Sequence, residues 1–164
     1  MATNEKISSY LQTYVGTAIA NTPPLMQHFL GGYPTSDPFW DFRPDADRFT
    51  LREMIAHLAD WNDVFLGRFQ RTLKEHEPLL PNCDESQFAI DHDYAHSDPQ
   101  KNLARFAQSR EGLNQFIKDL KPEDWDRVAE REGVGKITLS QHIALMVGHD
   151  GYHLCQAMDY NKSL

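Results

Sequence analysis

The sequence predicts an all-α fold, a four-helix bundle with long connections after its first and second helices, formed as one domain over residues 1–164. Three observations carry that expectation. Apolar residues recur at three-and-four spacing along four long segments, the period of one helical face rather than of a strand. Two of those segments open with a capping box, in which a threonine hydroxyl and a side chain three residues later satisfy free backbone N–H groups. No convincing alternating strand and no internal repeat competes with this reading.

In the first segment Ile7, Tyr10, Leu11, Tyr14, Val15, Ala18 and Ile19 form one face. Pro23-Pro24 is expected to kink or interrupt this helix, because proline lacks the N–H and clashes with the preceding turn. Leu25, Met26, Phe29 and Leu30 then resume the pattern, and Gly31-Gly32 end it. A loop rich in proline, aspartate and aromatic residues runs from Tyr33 to Arg48.

The second helix starts at the capping box Thr50-Leu51-Arg52-Glu53, with Phe49 and Met54 placed as a hydrophobic staple. Its stripe is Met54, His57, Leu58, Trp61, Phe65, Phe69 and Leu73, which puts His57 on the core face. From Glu77 to Ser97 the chain reads as irregular and ends in an acidic, histidine-bearing run, Asp91 to His96. Asp98-Pro99, an N-cap before a proline in the first turn, opens a third helix whose face is Leu103, Phe106, Ala107, Leu113, Ile117 and Leu120.

Lys121 to Trp125 reads as a short helical turn, and Gly133-Val134-Gly135 as a turn able to join two short extended pieces. The fourth helix repeats the device of the second, with the box Thr138-Leu139-Ser140-Gln141. Leu139, His142, Ile143, Met146, His149, His153 and Ala157 line one side of it.

Composition narrows the function. With 40% apolar residues the chain can build a core, and a formal charge of −8 leaves no basic face for a nucleic-acid backbone or an anionic membrane surface. Cys83 and Cys155 form neither a disulfide framework nor a metal knuckle. Met1 to Lys6 is polar, without a signal-peptide pattern, and the longest apolar run, Ile143 to Val147, is too short to span a bilayer. The expectation is a soluble cytoplasmic protein acting on a small molecule.

The chemistry lies in the histidines. His149 and His153, four apart, leave one helical face a turn from each other, the separation at which two imidazoles meet on one metal ion. His57 faces inward from the second helix. Three buried imidazoles are costly as packing, since each unsatisfied polar group costs about 1–3 kcal/mol, whereas a shared ion takes one nitrogen from each ring. His142 lies two turns earlier, about 10 Å along the axis, and is assigned to core or pocket wall. His28 and His76 sit at helix ends, where the helix dipole favours them. His92 and His96 have ligand-like spacing in a polar connector and form a lesser candidate for a second site.

A His-Glu-x-x-His protease is disfavoured because Asp150 stands where its glutamate base belongs. A phosphohydrolase of the His-Asp type, using His57, His149-Asp150 and Asp159, is a weaker alternative. A further reading has the histidines merely packed and hydrogen-bonded.

The segments Leu51 to Trp61, Thr138 to His142 and His149-x-x-x-His153-x-x-Gln156, with the turn from Lys121 to Arg127, resemble the DinB-like, or damage-inducible, superfamily of metal-binding four-helix bundles. That superfamily includes thiol-dependent S-transferases and the maleylpyruvate isomerase type. The resemblance covers essentially the whole chain, and it implies a metal triad of His57, His149 and His153 and a homodimer. Asp150, where the family often has Glu, and Cys155, where it has Gly before the final Gln, are departures that leave the triad intact.

Three imidazoles leave a coordination position open, as in catalytic sites. The ion would be zinc or nickel, with iron also compatible with imidazole ligands. It would activate water, giving a hydrolase, or hold a low-molecular-weight thiol as thiolate, giving an S-transferase. The alternative is a non-catalytic binding or stress-response bundle braced by the metal. Trp61, Tyr152 and Gln156 are candidate pocket or outer ligand-supporting residues. Asp60 and Asp63 are candidates to orient His57, or else part of a solvated face.

Overall fold

The structure is a computed structural model; it describes the backbone of residues 2–43 and 45–162 and the surroundings of side chains 9–43 and 45–160. Met1 to Lys6 and Ile7, read above as a polar lead-in and the first inward residue, have side chains outside the described set. Four long helices build the bundle: α1 (Ala2–Leu30), α2 (Leu51–Lys74), α4 (Pro99–Lys118) and α5 (Leu139–Lys162), with a short α3 (Glu85–Asp91) between the second and third of them. Both capping boxes form. Thr50 accepts from Glu53 N at 3.2 Å while Glu53 accepts from Thr50 N at 2.7 Å, and Thr138 and Gln141 exchange the equivalent bonds at 3.2 and 2.9 Å.

α1 packs on α4 and α5, and α2 packs on the same two helices. Helices α1 and α2 therefore sit across the bundle from each other. The long connections allow this order, since a tight turn would have left consecutive helices adjacent. α2 is buried almost all round from Met54 to Asn62, which is more than a single stripe. It carries its neighbours on several sides.

The helices differ from expectation in three places. α1 is not interrupted at Pro23-Pro24, the second of the two outcomes expected there, but runs through both prolines. Ala20, whose carbonyl would have received the Pro24 N–H, is exposed, so water can serve it, while packing of Ile19, Met26 and Leu30 holds the helix on either side. Tyr10 and Tyr14 face outward and stack on each other, and Leu25 is exposed as well. In α4 the inward stripe is Leu103, Phe106, Arg110, Leu113 and Ile117, so Ala107, expected inside, is exposed and an arginine takes the buried place.

Short strands are present too, two of them the extended pieces expected on either side of Gly133-Val134-Gly135. β1 (Leu79–Leu80), β2 (Val128–Arg131) and β3 (Gly135–Thr138) form a small sheet, β1 parallel to β2 and β2 antiparallel to β3. The turn joining β2 and β3 is the predicted glycine turn, and Gly133 and Gly135 adopt φ of 76° and 94°, where side chains are strained. The segment from Glu77 to Ser97, expected to be irregular, thus contains β1 and α3. Two-residue strands and a two-turn helix leave too little periodicity to read from sequence. Among the described residues no helix is long and apolar enough to cross a membrane.

Candidate metal centre

α2 and α5 face each other across the core, and the phases set by their caps turn His57, His149 and His153 to one point. His149 Nε2 lies 2.9 Å from His57 Nε2 and 3.2 Å from His153 Nε2. Two imidazole nitrogens bound to one ion at about 2.0–2.1 Å, and 90–109° apart, stand about 2.9–3.3 Å from each other. The three rings fit one divalent ion. Among the described residues no fourth histidine, cysteine or carboxylate joins the cluster.

The surroundings hold these rings in the state a metal requires. Burial, with the neighbouring imidazoles adding repulsion, lowers His57 to about 2. Burial, His153 and Arg110 lower His149 to about 3, and burial lowers His153 to about 4 against the opposing Gln156 hydrogen bond. All three are neutral at physiological pH, with lone pairs to give. Gln156 Oε1 accepts from His153 Nδ1 at 2.9 Å, which leaves Nε2 of that ring unprotonated, and the Gln156 amide donates in turn to Tyr160 at 2.7 Å.

The Nδ1 atoms of His57 and His149 are buried without a partner. Without an ion, therefore, no assignment of protons satisfies the whole cluster. A cation that takes three lone pairs removes the conflict at the Nε2 side.

Behind the cluster Trp61 lies against His57 at 4.2 Å between ring centres, and Phe65 lies 5.8 Å from His149. In front, a cleft of about 260 Å³ is lined by Asp47, Arg48, Phe49, Glu85, Ser86, Tyr152 and Gln156 together with His149 and His153. His57, 1% exposed, lies beneath His149 and His153 and does not itself line the cleft.

With this geometry in view, comparison with known proteins is decisive for kinship. The family model described as the DinB superfamily matches residues 18–157. The chain belongs to the DinB superfamily.

This DinB-superfamily chain is 26% identical over 106 residues to a protein of Oceanobacillus iheyensis whose name proposes a metal-dependent hydrolase, a match covering 65% of this chain and 61% of that protein. YfiT of Bacillus subtilis, named in the same way, is 23% identical over 117 residues, or 71% of this chain and 66% of its own length. The chain thus matches less than two thirds of the length of either relative. The solved structure of YfiT, described as a proposed metal-dependent hydrolase with an unusual four-helix bundle topology, superposes with a TM-score of 0.85 at 20% identity. The superposition covers 93% of this chain and 86% of that one, and at such identity it shows the shared fold.

Other candidate residues of the DinB-superfamily chain are distributed differently from expectation. Gln156 and Tyr152 line the cleft, Tyr152 at its mouth and 55% exposed. Trp61 is a wall behind His57 and does not reach the cleft. Asp60 does not orient His57. It is buried and receives His92 Nδ1 at 2.6 Å, the Tyr94 hydroxyl at 2.8 Å and Arg105 at 2.5 Å, because α2 is enclosed on that side by the segment after α3. Asp63 is exposed. His92 turns to Asp60 while His96 turns to Asp93, so the two do not converge on an ion.

Asp150 faces away from the cleft and pairs with Arg110, which removes it from the central role that the His-Asp phosphohydrolase reading required. The Asp150–Arg110 pair had a legible signal in the sequence: an arginine standing at the inward position between Phe106 and Leu113.

His142 is core, as expected, between Phe65 and Phe69, with neither ring nitrogen partnered. Burial, with Arg131 and Arg68 adding repulsion, lowers it to about 4, against about 6.5 in an unfolded chain. The folded value is the lower one, so this contribution is whole above pH 6.5 and is lost as pH falls toward 4, because the unfolded chain binds the proton first. A difference of that size is worth roughly 3 kcal/mol. Urea midpoints measured from pH 7 to 4 should therefore fall less steeply for His142→Leu than for the unaltered protein. Parallel curves would refute this.

Proposed function

We propose that the chain is a metal-dependent hydrolase that takes a small molecule into the cleft above His57, His149 and His153. The observation that carries the reading is a three-imidazole cluster closed behind by aromatic rings and open in front onto a cleft lined by polar groups. A metal that merely braced two helices would be expected to have its remaining position filled by protein, and among the described residues no fourth ligand side chain is in place.

Held there, a zinc or nickel ion would supply Lewis acidity, lowering the pKa of water or of a thiol and polarising a substrate oxygen. The chain's own groups do the rest. His57, His149 and His153 present neutral nitrogens, and Gln156 fixes the His153 tautomer from behind. Trp61 and Phe65 exclude water from the inner side. Phe49, 5.3 Å from His57 between ring centres, gives the substrate an apolar wall, and Arg48 and Tyr152 offer hydrogen-bond donors at the mouth.

Metal analysis of tag-free protein, dialysed separately against zinc, nickel and iron(II), tests the first half of the reading. The expected result is one firmly held ion per chain and cleavage of the activated ester 4-nitrophenyl acetate that stops on chelation. Retention of none of the three ions would overturn it. Parallel assays with 2-mercaptoethanol and 1-chloro-2,4-dinitrobenzene address the S-transferase reading, in which thiol rather than water is consumed.

A further inference from the structure

Hydrolysis or thiol transfer needs a group that moves a proton, and the metal cluster has none to spare. The three Nε2 atoms are committed to one point, and Gln156 is committed to His153 and Tyr160. Among the other cleft residues only Asp47 and Glu85 are carboxylates, and arginine does not deprotonate in proteins.

The two carboxylates differ in how firmly they are held. Asp47, exposed as Glu85 is, lies in the loop before α2 with its backbone N–H 3.4 Å from Asp45. Glu85 is the first residue of α3, whose start is fixed by Asp84 accepting from Ser86 N and Gln87 N at 3.0 Å each. The same short helix carries Phe88, which meets Trp61 edge-on at 5.3 Å, and Trp61 in turn lies on His57. The helix that carries Glu85 is therefore held against the centre through the Phe88–Trp61–His57 contacts.

We propose that Glu85 is the proton-transfer residue of this cleft, a role that rests on the metal-dependent reading above. Its carboxylate takes the proton of the attacking water or thiol as the nucleophile's oxygen or sulfur bonds to the electrophilic carbon. As the bond from that carbon to the leaving group breaks, the leaving group keeps the electron pair and receives the proton from Glu85. Atoms and charge balance with no other reactant.

The electrostatic setting agrees. Although Glu85 is exposed as a residue, the partial enclosure of its carboxyl pushes it up and Asp84 adds to this, while Arg131 from β2 and Arg68 from α2 pull it down; the upward push prevails. A carboxylate moved toward neutrality is a better base and, once protonated, still gives the proton back. The neutral imidazoles of His149 and His153 face the same space from α5.

The test uses the full chain loaded with cobalt(II), comparing the unaltered protein with Glu85→Gln and with Glu111→Gln, an exposed carboxylate of α4 outside the cleft. All three should bind one cobalt per chain. Azide, titrated in and followed by visible absorption, should bind Glu85→Gln about fivefold more tightly at pH 8, because one negative charge has left the cleft. The advantage should shrink as pH falls and the unaltered Glu85, its carboxyl raised above the usual range, takes up its proton. For 4-nitrophenyl acetate, Glu85→Gln should lower kcat by about 100-fold with KM little changed and flatten the acid limb of the pH profile, whereas Glu111→Gln should do neither. Equal azide affinity for the unaltered and Gln proteins at pH 8, or an unchanged kcat, overturns the assignment. Failure of the unaltered protein to bind cobalt is seen before azide is added, and it overturns the metal reading and this proposal with it.

Discussion

Replacing His149 with alanine is expected to abolish metal retention. This ring is the middle of the cluster, 2.9 Å from the His57 nitrogen and 3.2 Å from the His153 nitrogen, and without it α2 and α5 contribute only one ligand each. Loss of a partner that only orients a ligand costs about 10–100-fold in metal affinity, so loss of the ligand itself should exceed about 100-fold. The consequence reaches stability. An ion present at 1,000 times its dissociation constant stabilises the folded state by about 4 kcal/mol, and this increment should disappear from His149→Ala. Melting curves with and without zinc or nickel should separate for the unaltered protein and coincide for the variant. A metal-dependent rise in Tm that survives in His149→Ala would show that the ion is held elsewhere.

Arg110→Met is expected to be the most damaging change to the bundle outside the metal centre. Arg110 and Asp150 are 1% and 3% exposed, and the guanidinium grips the carboxylate with two bonds of 2.6 and 3.1 Å. Arg110 also lies 4.7 Å over the Phe106 ring, so it is packed as well as paired. Removing one partner of such a pair leaves a buried charge unmatched, at a cost of about 3–5 kcal/mol. Asp150 follows His149 directly, and its hold on α4 fixes the rotation of α5 that turns His149 to His57.

The pH dependence of that variant has a definite sign. Burial already pushes the Asp150 carboxyl up while Arg110, with help from Thr22, pulls it down, so loss of Arg110 raises it further. A folded value above the unfolded one gives stability that is present at low pH and lost as pH rises. The deficit of Arg110→Met should therefore be larger at pH 8 than at pH 5 in urea denaturation. Adding Asp150→Leu should recover much of the loss, since two apolar side chains leave no buried charge. A single variant within about 0.5 kcal/mol of the unaltered protein at pH 8 would mean that the pair contributes no more than an ordinary surface contact.

Legibility in the sequence followed the range of the interactions. Thr50, Glu53, Thr138 and Gln141 are local in sequence, and their bonds form as read, so the starts and phases of α2 and α5 were available before any fold was known. Phase is what turns a histidine inward. His149 and His153 paired by spacing, His57 joined them by its inward phase and the cost of burying three imidazoles, the resemblance implied the same triad, and the structure brings the three together. Gly133 and the Asp98-Pro99 start were legible for the same local reason.

What failed to read were contacts between residues far apart in the chain. Asp60 read as part of a solvated face or else as a residue orienting His57, and it is neither: it is buried, and His92, Tyr94 and Arg105, brought over by α3 and α4, claim it. Arg110 breaks the apolar stripe of α4, a visible anomaly whose partner, 40 residues on, could not be named. Glu85 carried no signal at all, since α3 is too short for periodicity and its position over the cleft depends on Phe88 meeting Trp61. The sequence alone determined which faces of α2 and α5 are apolar and that three imidazoles turn toward one another, because hydrophobic period and capping are decided within a few residues. The tertiary structure decided what encloses those imidazoles and which acids stand near them, because long connections place α3 and α4 by packing, and packing joins residues that no local pattern links.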